Sequence, residues 1–199
     1  MAQNFKKICD KQNVLLEFNK DSNIYSLLFD INNKKNLNIE ELLDKNIFYL
    51  LKTINTEIID DVVEIIKKDN ENIILFIFKE IGKEAGLKQK YMFLNNIKIF
   101  EENKLVIKTK SVTKEELCKN NLLNNNVINK VNKLQEITCE FANLTVNNLN
   151  MQNLTIYYLF KIVMPDKLPK YLENIIGLLM KKIFLNLKIF IEESNHTFA

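Results

Sequence analysis

The chain has 199 residues, 47% of them hydrophobic and 27% charged, which is enough to bury one substantial core. Its 28 Lys and Arg residues against 25 Asp and Glu residues leave a formal net charge of +3. Proteins that bind nucleic acid through its phosphates usually carry a strongly basic surface, so this small excess argues against a specific nucleic-acid partner.

The N-terminal residues contain lysines but no continuous apolar stretch, so they do not resemble a signal peptide. Three cysteines, Cys9, Cys118 and Cys139, form an odd number without close spacing, which is typical of reduced thiols rather than disulfides. We therefore expect an intracellular, cytoplasmic protein.

The first predicted elements are a short strand and two helical regions. The sequence NVLLEF at 13–18 is rich in residues that favour strands. Residues 21–31 begin with a cap-type Asp-Ser pair and then place apolar residues at helical spacing, which predicts a helix. Residues 38–69 predict a second helical region, with Asn38 as its cap residue and a break near 53–56.

Five further strands are indicated by alternating or continuous apolar runs after residue 70. They lie at 72–81, 88–100, 104–112, 135–146 and 153–163. Their connectors are mostly short, which suits antiparallel neighbours, and Gly82 and Gly86 favour a turn in the first connector. After the third of these strands, Thr113 and Glu116 have the spacing of a capping box that starts a short helix, and 119–130 looks like a soft insertion.

A long, mostly apolar helix is predicted over residues 168–191, which corresponds to about 36 Å. Asp166 is its predicted N-cap, and Pro169 falls in the first turn, where a missing N–H costs nothing. Charged residues interrupt the apolar run, so the helix is not expected to span a membrane. Its polar residues, including Lys181 and Lys188, recur every three to four positions and mark one narrow strip. The apolar remainder predicts that a sheet surrounds the helix.

The order of these elements resembles the START-like, or helix-grip, superfamily. The best match is the end of the chain, TIYYLFKIVMPDKLPKYLENIIGLLMKKIFLNLKIFIEE, where a strand passes through a Pro-containing turn into a long helix. The opening, LLEFNKDSNIYSLLFDINNKKNL, is similar to the start of VASt-type sterol-transfer domains. The resemblance implies an α+β fold in which a curved antiparallel sheet wraps around the C-terminal helix, with additional N-terminal helices. We expect one domain over residues 1–199, with flexible ends at 1–10 and 195–199.

A helix held by a concave sheet can leave an apolar cavity, and such a cavity suits a lipid or a similar hydrophobic small molecule. The resemblance therefore implies lipid binding or lipid transfer, with transient contact to a membrane. The candidate ligand-binding residues are Tyr158, Phe160, Leu179, Met180, Ile183 and Leu187. The open alternative is that these side chains simply fill a packed core.

Residues that would support enzyme chemistry are scarce. The only histidine, His196, lies close to the C-terminus, so neither a Ser-His-Asp or Cys-His system nor a His-rich zinc site is expected. The stretch IGKEAGLK lacks the spacing of the Gly-rich phosphate loops. Paired carboxylates such as those at 40–41 and 60–61 are adjacent in sequence, which is typical of solvent-facing positions. We expect no enzyme activity, no cofactor and no metal site.

A second function is also compatible with the sequence, that of a non-enzymatic protein-interaction module. Such a domain would be a subunit or cofactor of a larger assembly, for example a chaperone- or ribosome-associated factor. Polar loops at 32–38 and 119–130 are candidate surfaces for a protein partner, and the lysine-rich stretch 79–90 is a candidate to contact an acidic surface or membrane headgroups. A bound ligand distinguishes the two functions. A transfer protein has an apolar cavity for it, whereas an interaction module has a filled core and an exposed apolar patch.

Overall fold

The computed structural model describes residues 4–45, 47–80, 88–149, 151–164 and 174–193. Within these residues ten strands form one sheet and five helices pack on it. The strands are β1 Lys6–Lys11, β2 Val14–Asn19, β3 Ile24–Asn32, β4 Ile59–Lys67, β5 Glu71–Phe78, β6 Lys90–Glu101, β7 Lys104–Ser111, β8 Gln135–Glu136, β9 Thr138–Asn147 and β10 Asn153–Val163. The helices are α1 Ile39–Lys45, α2 Ile47–Ile54, α3 Lys114–Lys119, α4 Asn125–Val131 and α5 Ile175–Glu193.

The strands follow the order β1-β2-β3-β10-β9-β7-β6-β5-β4, with antiparallel neighbours throughout, and β8 pairs in parallel with the start of β6. β10 joins two parts of the sheet, since it pairs with β3 on one side and with β9 on the other. We call β1–β3 the N-terminal arm, and β4–β7 with β9 the meander. The sheet curves around the C-terminal helix, which confirms the predicted helix-grip architecture with additional N-terminal helices.

Both faces of β5 and of the first part of β6 are buried, because helices cover each of them. On β5, Ile74 and Phe76 belong to the larger core, which also contains residues of α2 and α5. Leu75 and Ile77, on the opposite face, belong to a smaller core with side chains of α3 and α4 such as Leu117. A strand buried on both faces carries a continuous apolar run rather than an alternating one, which explains the sequence IILFIF.

The terminal helix α5 packs against the N-terminal arm and α2. Gly177 allows the closest approach, because a Cβ atom there would lie 2.6 Å from Cε1 of Tyr25. Lys181 is 6% exposed, and its Nζ donates to the carbonyl oxygens of Val14 at 2.6 Å and Lys11 at 3.0 Å. These contacts hold the backbone of α5 close to the arm.

The predicted polar strip of α5 is used for contacts within the protein. Besides Lys181, Lys188 of this strip donates to the carbonyl oxygen of Asp30. Asn186, which was not part of the predicted strip, donates from Nδ2 to Asn55 Oδ1 at 2.9 Å. The bond to Asn55 satisfies a fully buried side chain, which would otherwise lack a partner for its oxygen. None of the helices in the described ranges is long and apolar enough to cross a bilayer.

The helix predicted over 21–31 is wrong, since Ile24–Asn32 form strand β3. The inward residues Tyr25, Leu27 and Phe29 alternate along the strand and are each at most 5% exposed. The apolar residues here satisfy both the helical spacing and the strand alternation. Hydrogen bonding to β2 on one side and β10 on the other decides in favour of the strand.

The helical region predicted over 38–69 is right only in its first half. There α1 and α2 form, and Asn38 Oδ1 accepts from the backbone N–H of Glu41 at 3.0 Å. The second half is strand β4, which begins after Asn55 has ended α2. The Asn55 side chain donates back to the carbonyl oxygen of Leu51 at 2.9 Å, and this bond closes the last turn of the helix.

The N-terminal residues 1–10 were expected to be flexible, but Lys6–Lys11 form the edge strand β1. β1 pairs with β2 through a two-residue turn at Gln12 and Asn13, whose φ angles are 56° and 55°. Positive φ at both central residues gives the turn the twist that a β-hairpin needs. Most side chains of β1 are exposed, so the strand has little apolar pattern from which it could be predicted.

The other predicted elements agree with the structure to within a few residues. Strands β5, β6, β7, β9 and β10 are confirmed, and Thr113 and Glu116 form the predicted capping box of α3. The insertion at 119–130 contains most of α4, whose N-cap is Asn124. The predicted Gly82 and Gly86 turn, the Asp166 cap, Pro169 and His196 lie outside the described residues.

Candidate ligand cavity between the meander and α5

Two apolar cavities lie between the meander and α5. The first has a volume of about 90 Å³ and is enclosed by α2, α5, β10 and the meander strands. Its wall includes Phe48, Phe76, Met92, Tyr158, Ile183 and Phe184. Nearly all of this wall is hydrocarbon, so the cavity suits an apolar ligand rather than a polar one.

The second cavity has a volume of about 70 Å³ and lies where β5 and β10 end and α5 begins. Its wall includes Ile137, Met164, Ile175, Ile176 and Leu179, together with the lysines Lys79 and Lys90. Phe78, Ile162 and Met180 line both cavities. These three side chains therefore form the partition between the two spaces.

An aromatic stack supports the wall of the first cavity. The ring centroid of Tyr158 lies 4.9 Å from that of Phe160 and 4.7 Å from that of Phe184. The ring centroids of Phe160 and Tyr25 are 5.2 Å apart. Burial, with a smaller contribution from the Cys139 thiol, raises the pKa of Tyr158 far above its usual range. Burial and then the neighbouring Glu140 raise the pKa of Cys139 to about 12. Both groups are therefore neutral at physiological pH, and the wall carries no charge there.

The polar side chains of the first cavity lie on β6 and β7. Asn96 and Thr109 face each other across these strands, and Thr109 Oγ1 donates to Asn96 Oδ1 at 2.7 Å. Asn96 Nδ2 donates to the carbonyl oxygen of Leu94 at 3.2 Å. On the next strand, Asn72 pairs with Asn96, and its buried Oδ1 has no hydrogen-bond partner among the described residues. This end of the wall is polar but uncharged.

The predicted site residues separate into three groups. Tyr158, Ile183 and Leu187 line the first cavity, Leu179 lines the second, and Met180 lines both. Phe160 lines neither cavity, because it is fully buried within the aromatic stack behind Tyr158. Five of the six predicted residues therefore line one or both of the cavities, and their role in ligand binding stays a prediction.

Several cavity residues were missing from the sequence analysis. Phe48 is on α2, whose strong amphipathic pattern indicated a buried face but not the element that this face contacts. Asn96 and Thr109 are on predicted strands, yet their pairing depends on the register of β6 against β7. Lys90 was seen only as part of a lysine-rich stretch, although it is 8% exposed and lines the second cavity.

The sequence matches no protein-family model and no curated protein sequence. The fold, in contrast, is similar to several solved structures. Human StAR-related lipid transfer protein 5 matches with a TM-score of 0.73 at 10% identity, over 98% of this chain and 90% of that chain. Human STARD10 matches with a TM-score of 0.72 at 11% identity, over 96% of this chain and 74% of that chain. A STAR-related lipid transfer protein fragment from Xanthomonas axonopodis matches with a TM-score of 0.66 at 6% identity, over 95% of this chain and 99% of that chain.

Structural similarity at such low sequence identity establishes the architecture alone, because one fold can have several functions. It extends over almost the whole chain in each of the three comparisons. The finer resemblance to VASt-type domains stays a prediction. The order of the strands, the C-terminal helix and these likenesses together establish that the chain has the START-like helix-grip fold.

Proposed function

We propose that this protein binds a lipid or a similar hydrophobic ligand between the meander and α5, and transfers it between membranes. The observation that carries the proposal is the pair of adjoining apolar cavities, whose walls share Phe78, Ile162 and Met180. The START-like fold supports it, because two of the similar solved structures are named lipid transfer proteins. We place the protein in the cytoplasm, in keeping with its three free cysteines.

A ligand needs more room than either cavity has when empty, since typical ligand pockets measure about 300–1,000 Å³. The partition is the part of the wall that can move most easily. Met180 has three rotatable side-chain bonds, and methionine adapts to irregular spaces at low cost. Rotation of Met180 would join the two cavities into one elongated space along α5.

We assign the ligand contacts on the helix side to Leu179, Met180, Ile183 and Leu187, and a contact on the sheet side to Tyr158. All five side chains already line one of the two cavities or both. Phe160 would support ligand binding without contacting the ligand, because its ring stacks on Tyr158 and fixes the position of the Tyr158 ring. Tyr158 in its neutral form offers the ligand an apolar ring.

The second cavity is the proposed entrance. It adjoins Lys79, whose side chain is about half-exposed, and thus lies near the surface. The helix residues beside it, from Ile175 to Met180, carry no polar side chain, so moving them breaks no side-chain hydrogen bond. Among the described residues of α5, the first side chain with a polar contact to the arm is Lys181.

Native mass spectrometry of the purified protein, followed by organic extraction, tests the proposal. We expect an added mass that disappears on extraction and is recovered as lipid in the solvent. A second assay would follow a fluorescent phospholipid and a fluorescent sterol from donor to acceptor vesicles, with heat-denatured protein as the control. A protein that carries no extractable ligand and accelerates the movement of neither probe would contradict the proposal.

A further inference from the structure

The outer face of the sheet, which lies opposite the face that packs on α5, carries a row of apolar side chains. Strand pairing places one residue of this row on each of six neighbouring strands, in the order β2, β3, β10, β9, β7 and β6. We call the row the outer stripe, and it consists of Leu15, Leu28, Tyr157, Thr145, Val106 and Ile99. Five of these residues are apolar, and Thr145 contributes a methyl group.

The outer stripe takes no part in the two cores of the described residues. Residues that alternate with it, such as Leu16, Leu27 and Ile156, belong to the larger core, whereas the five apolar residues of the stripe belong to neither core. Leu28 is 42% exposed and Ile99 is 37% exposed. An antiparallel sheet with one face in water normally carries polar residues on that face. An apolar row across six strands is instead typical of an interaction surface.

The arm end of the outer face carries an excess of negative charge. Glu17 and Asp30 each lie two residues beyond a stripe residue on the same strand, and Asp10 of β1 pairs with a stripe residue. Lys7 lies opposite Glu17 in register, and its Nζ is 3.4 Å from Asp10 Oδ2. Three carboxylates therefore accompany one lysine at this end.

Strand β7, near the other end of the stripe, carries an excess of positive charge. Lys104, Lys108 and Lys110 alternate with buried residues of the strand, so all three lie on the outer face. Glu101 on β6 pairs with Lys104, and its Oε2 lies 3.2 Å from the lysine Nζ. Lys108 and Lys110 are exposed. The two ends of the outer stripe thus differ in the sign of their charge.

We propose that the outer stripe is the interface of a symmetric dimer, in which two copies of this chain pack their sheets face to face. A two-fold axis parallel to the strands, between β10 and β9, places the arm of each copy over β6 and β7 of the other. Leu15 then lies over Ile99 of the second copy. In the same way, Leu28 lies over the second copy's Val106. This inference goes beyond the proposed function, because the two cavities lie on the other face of the sheet.

The same axis brings opposite charges together. The charged groups that meet across the interface are Asp30 and Lys104, Glu17 and Lys108, and Lys7 and Glu71. A two-fold axis along the stripe would instead place the two acidic arms over each other, and like charges in contact oppose association. The charges therefore select a second copy whose arm lies over the meander.

The area of the outer stripe is sufficient for a weak, specific dimer. Six strands span about 24 Å at about 4.8 Å per strand, so the stripe and the rows beside it cover on the order of 600 Å² per copy. Two such faces bury about 1,200 Å², which is the lower end of the range for specific interfaces. Sheets that pack face to face lie about 10 Å apart, a gap that leucine and tyrosine side chains fill. We expect a dissociation constant on the order of micromolar.

Sedimentation velocity of the full-length, unmodified protein tests the proposal. From about 1 to about 100 µM, we expect the sedimentation coefficient to rise from that of one chain to that of two. Leu28→Glu places a charge within the stripe and should weaken the dimer at least about tenfold. Tyr49→Glu is the matched control and should leave the dimer unchanged, because Tyr49 is 45% exposed on α2, outside the stripe.

Lys108→Glu and Glu17→Lys test how the two copies are oriented. Within one chain these two residues are four strands apart, about 19 Å, so they cannot form an ion pair with each other. Each single change should weaken the dimer about fivefold, because it brings like charges together twice in a symmetric dimer. The double variant should recover most of the affinity, since the same pairs form with their charges exchanged.

Three results would overturn the inference. A protein that stays monomeric at about 100 µM has no dimer of this strength. A dimer that tolerates Leu28→Glu, or a double variant without recovery, would mean that the copies meet through another surface or orientation. A monomer that binds vesicles of phosphatidylcholine and phosphatidylserine, and loses this binding on Leu28→Glu, would show that the stripe contacts a membrane instead. Native mass spectrometry for an extractable ligand tests the proposed function separately.

Discussion

The N-terminal arm and the meander contact the same helix in different ways. Against the arm, Gly177 brings the helix onto the ring of Tyr25, and the Lys181 ammonium is bonded to backbone carbonyl oxygens. Against the meander, long apolar side chains of α5 leave two cavities, and no described residue of β1–β3 lines either of them. The arm therefore determines where the helix lies, and the two apolar cavities lie on its meander side.

The difference has a physical basis in the size of the contacting groups. On the arm side, a glycine and a hydrogen-bonded ammonium allow the helix to approach the sheet closely. The hydrogen bonds there also form only within a narrow range of donor–acceptor distances. On the meander side, Met180 and its neighbours bridge a wider gap through flexible side chains. Mutations on the arm side should thus affect stability most, and those on the meander side ligand binding.

The largest expected effect comes from removing the helix altogether. Deleting residues 166–199 would expose the inner faces of both the arm and the meander, and exposed apolar surface of that extent favours aggregation. We expect an insoluble or molten chain, observed as a loss of the cooperative transition in thermal unfolding followed by near-UV circular dichroism. A truncated chain that still unfolds cooperatively would show that α5 is not needed by either region.

Lys181→Met should have the next largest effect, because it breaks the contact with the arm. The carbonyl oxygens of Val14 and Lys11 would each lose the bond from Nζ, and a hydrogen bond from a charged group contributes about 1.5–3 kcal/mol. We expect the free energy of unfolding in urea to fall by about 2–4 kcal/mol.

Lys182→Met is the matched control for Lys181→Met. Lys182 is the next residue on the helix, and its Nζ lies 3.1 Å from Glu57 Oε1 with both side chains about half-exposed. An exposed ion pair contributes below about 1 kcal/mol, so this variant should remain close to the unmodified protein. Similar losses for the two variants would contradict the assignment of Lys181 as the main polar contact with the arm.

Gly177→Ala should destabilise the protein by a smaller amount. The added Cβ would lie 2.6 Å from Cε1 of Tyr25, whose ring is 5% exposed and stacked between Phe18 and Phe160. Overpacking costs about 1–3 kcal/mol, and the better helix propensity of alanine offsets about 1 kcal/mol, which leaves a net loss of about 1 kcal/mol. In a Tyr25→Leu background the same change should become neutral or stabilising, and an unchanged loss there would rule out the clash.

Strands β5, β6, β7, β9 and β10 could be predicted from the sequence, while β4 and part of the arm could not. Strands such as β5 and β10 carry runs of apolar residues that are long enough to indicate a strand without knowledge of their neighbours. β3 was mistaken for a helix, because the spacing of its apolar residues fits both periods and only pairing with β2 and β10 separates them. β1 has mostly exposed side chains and therefore almost no pattern.

The site residues could be predicted where their position depends on helical periodicity. They could not be predicted where their position depends on the pairing register of two strands. Met180, Ile183 and Leu187 lie on one face of α5, and that face follows from helical spacing alone. The bond between Asn96 and Thr109 depends on how β6 pairs with β7, which no local pattern determines. A buried lysine such as Lys181 has the same sequence signature as an exposed one, since its partners are carbonyl oxygens of a distant hairpin.

The smallest effect on stability, and the most specific effect on function, is expected for Leu179→Trp on the meander side. Leu179 lines the second cavity, so a larger ring there would occupy ligand space, whereas the same ring in a filled core would cost about 1–3 kcal/mol. We expect the ligand-free variant to keep or raise its melting temperature and to take up no fluorescent lipid from vesicles. Leu178→Trp is the control, because Leu178 is 45% exposed on the same turn and should retain uptake. A melting temperature lowered by several degrees, with no lipid bound to the unmodified protein, would mean that the meander packs against α5 as completely as the arm does.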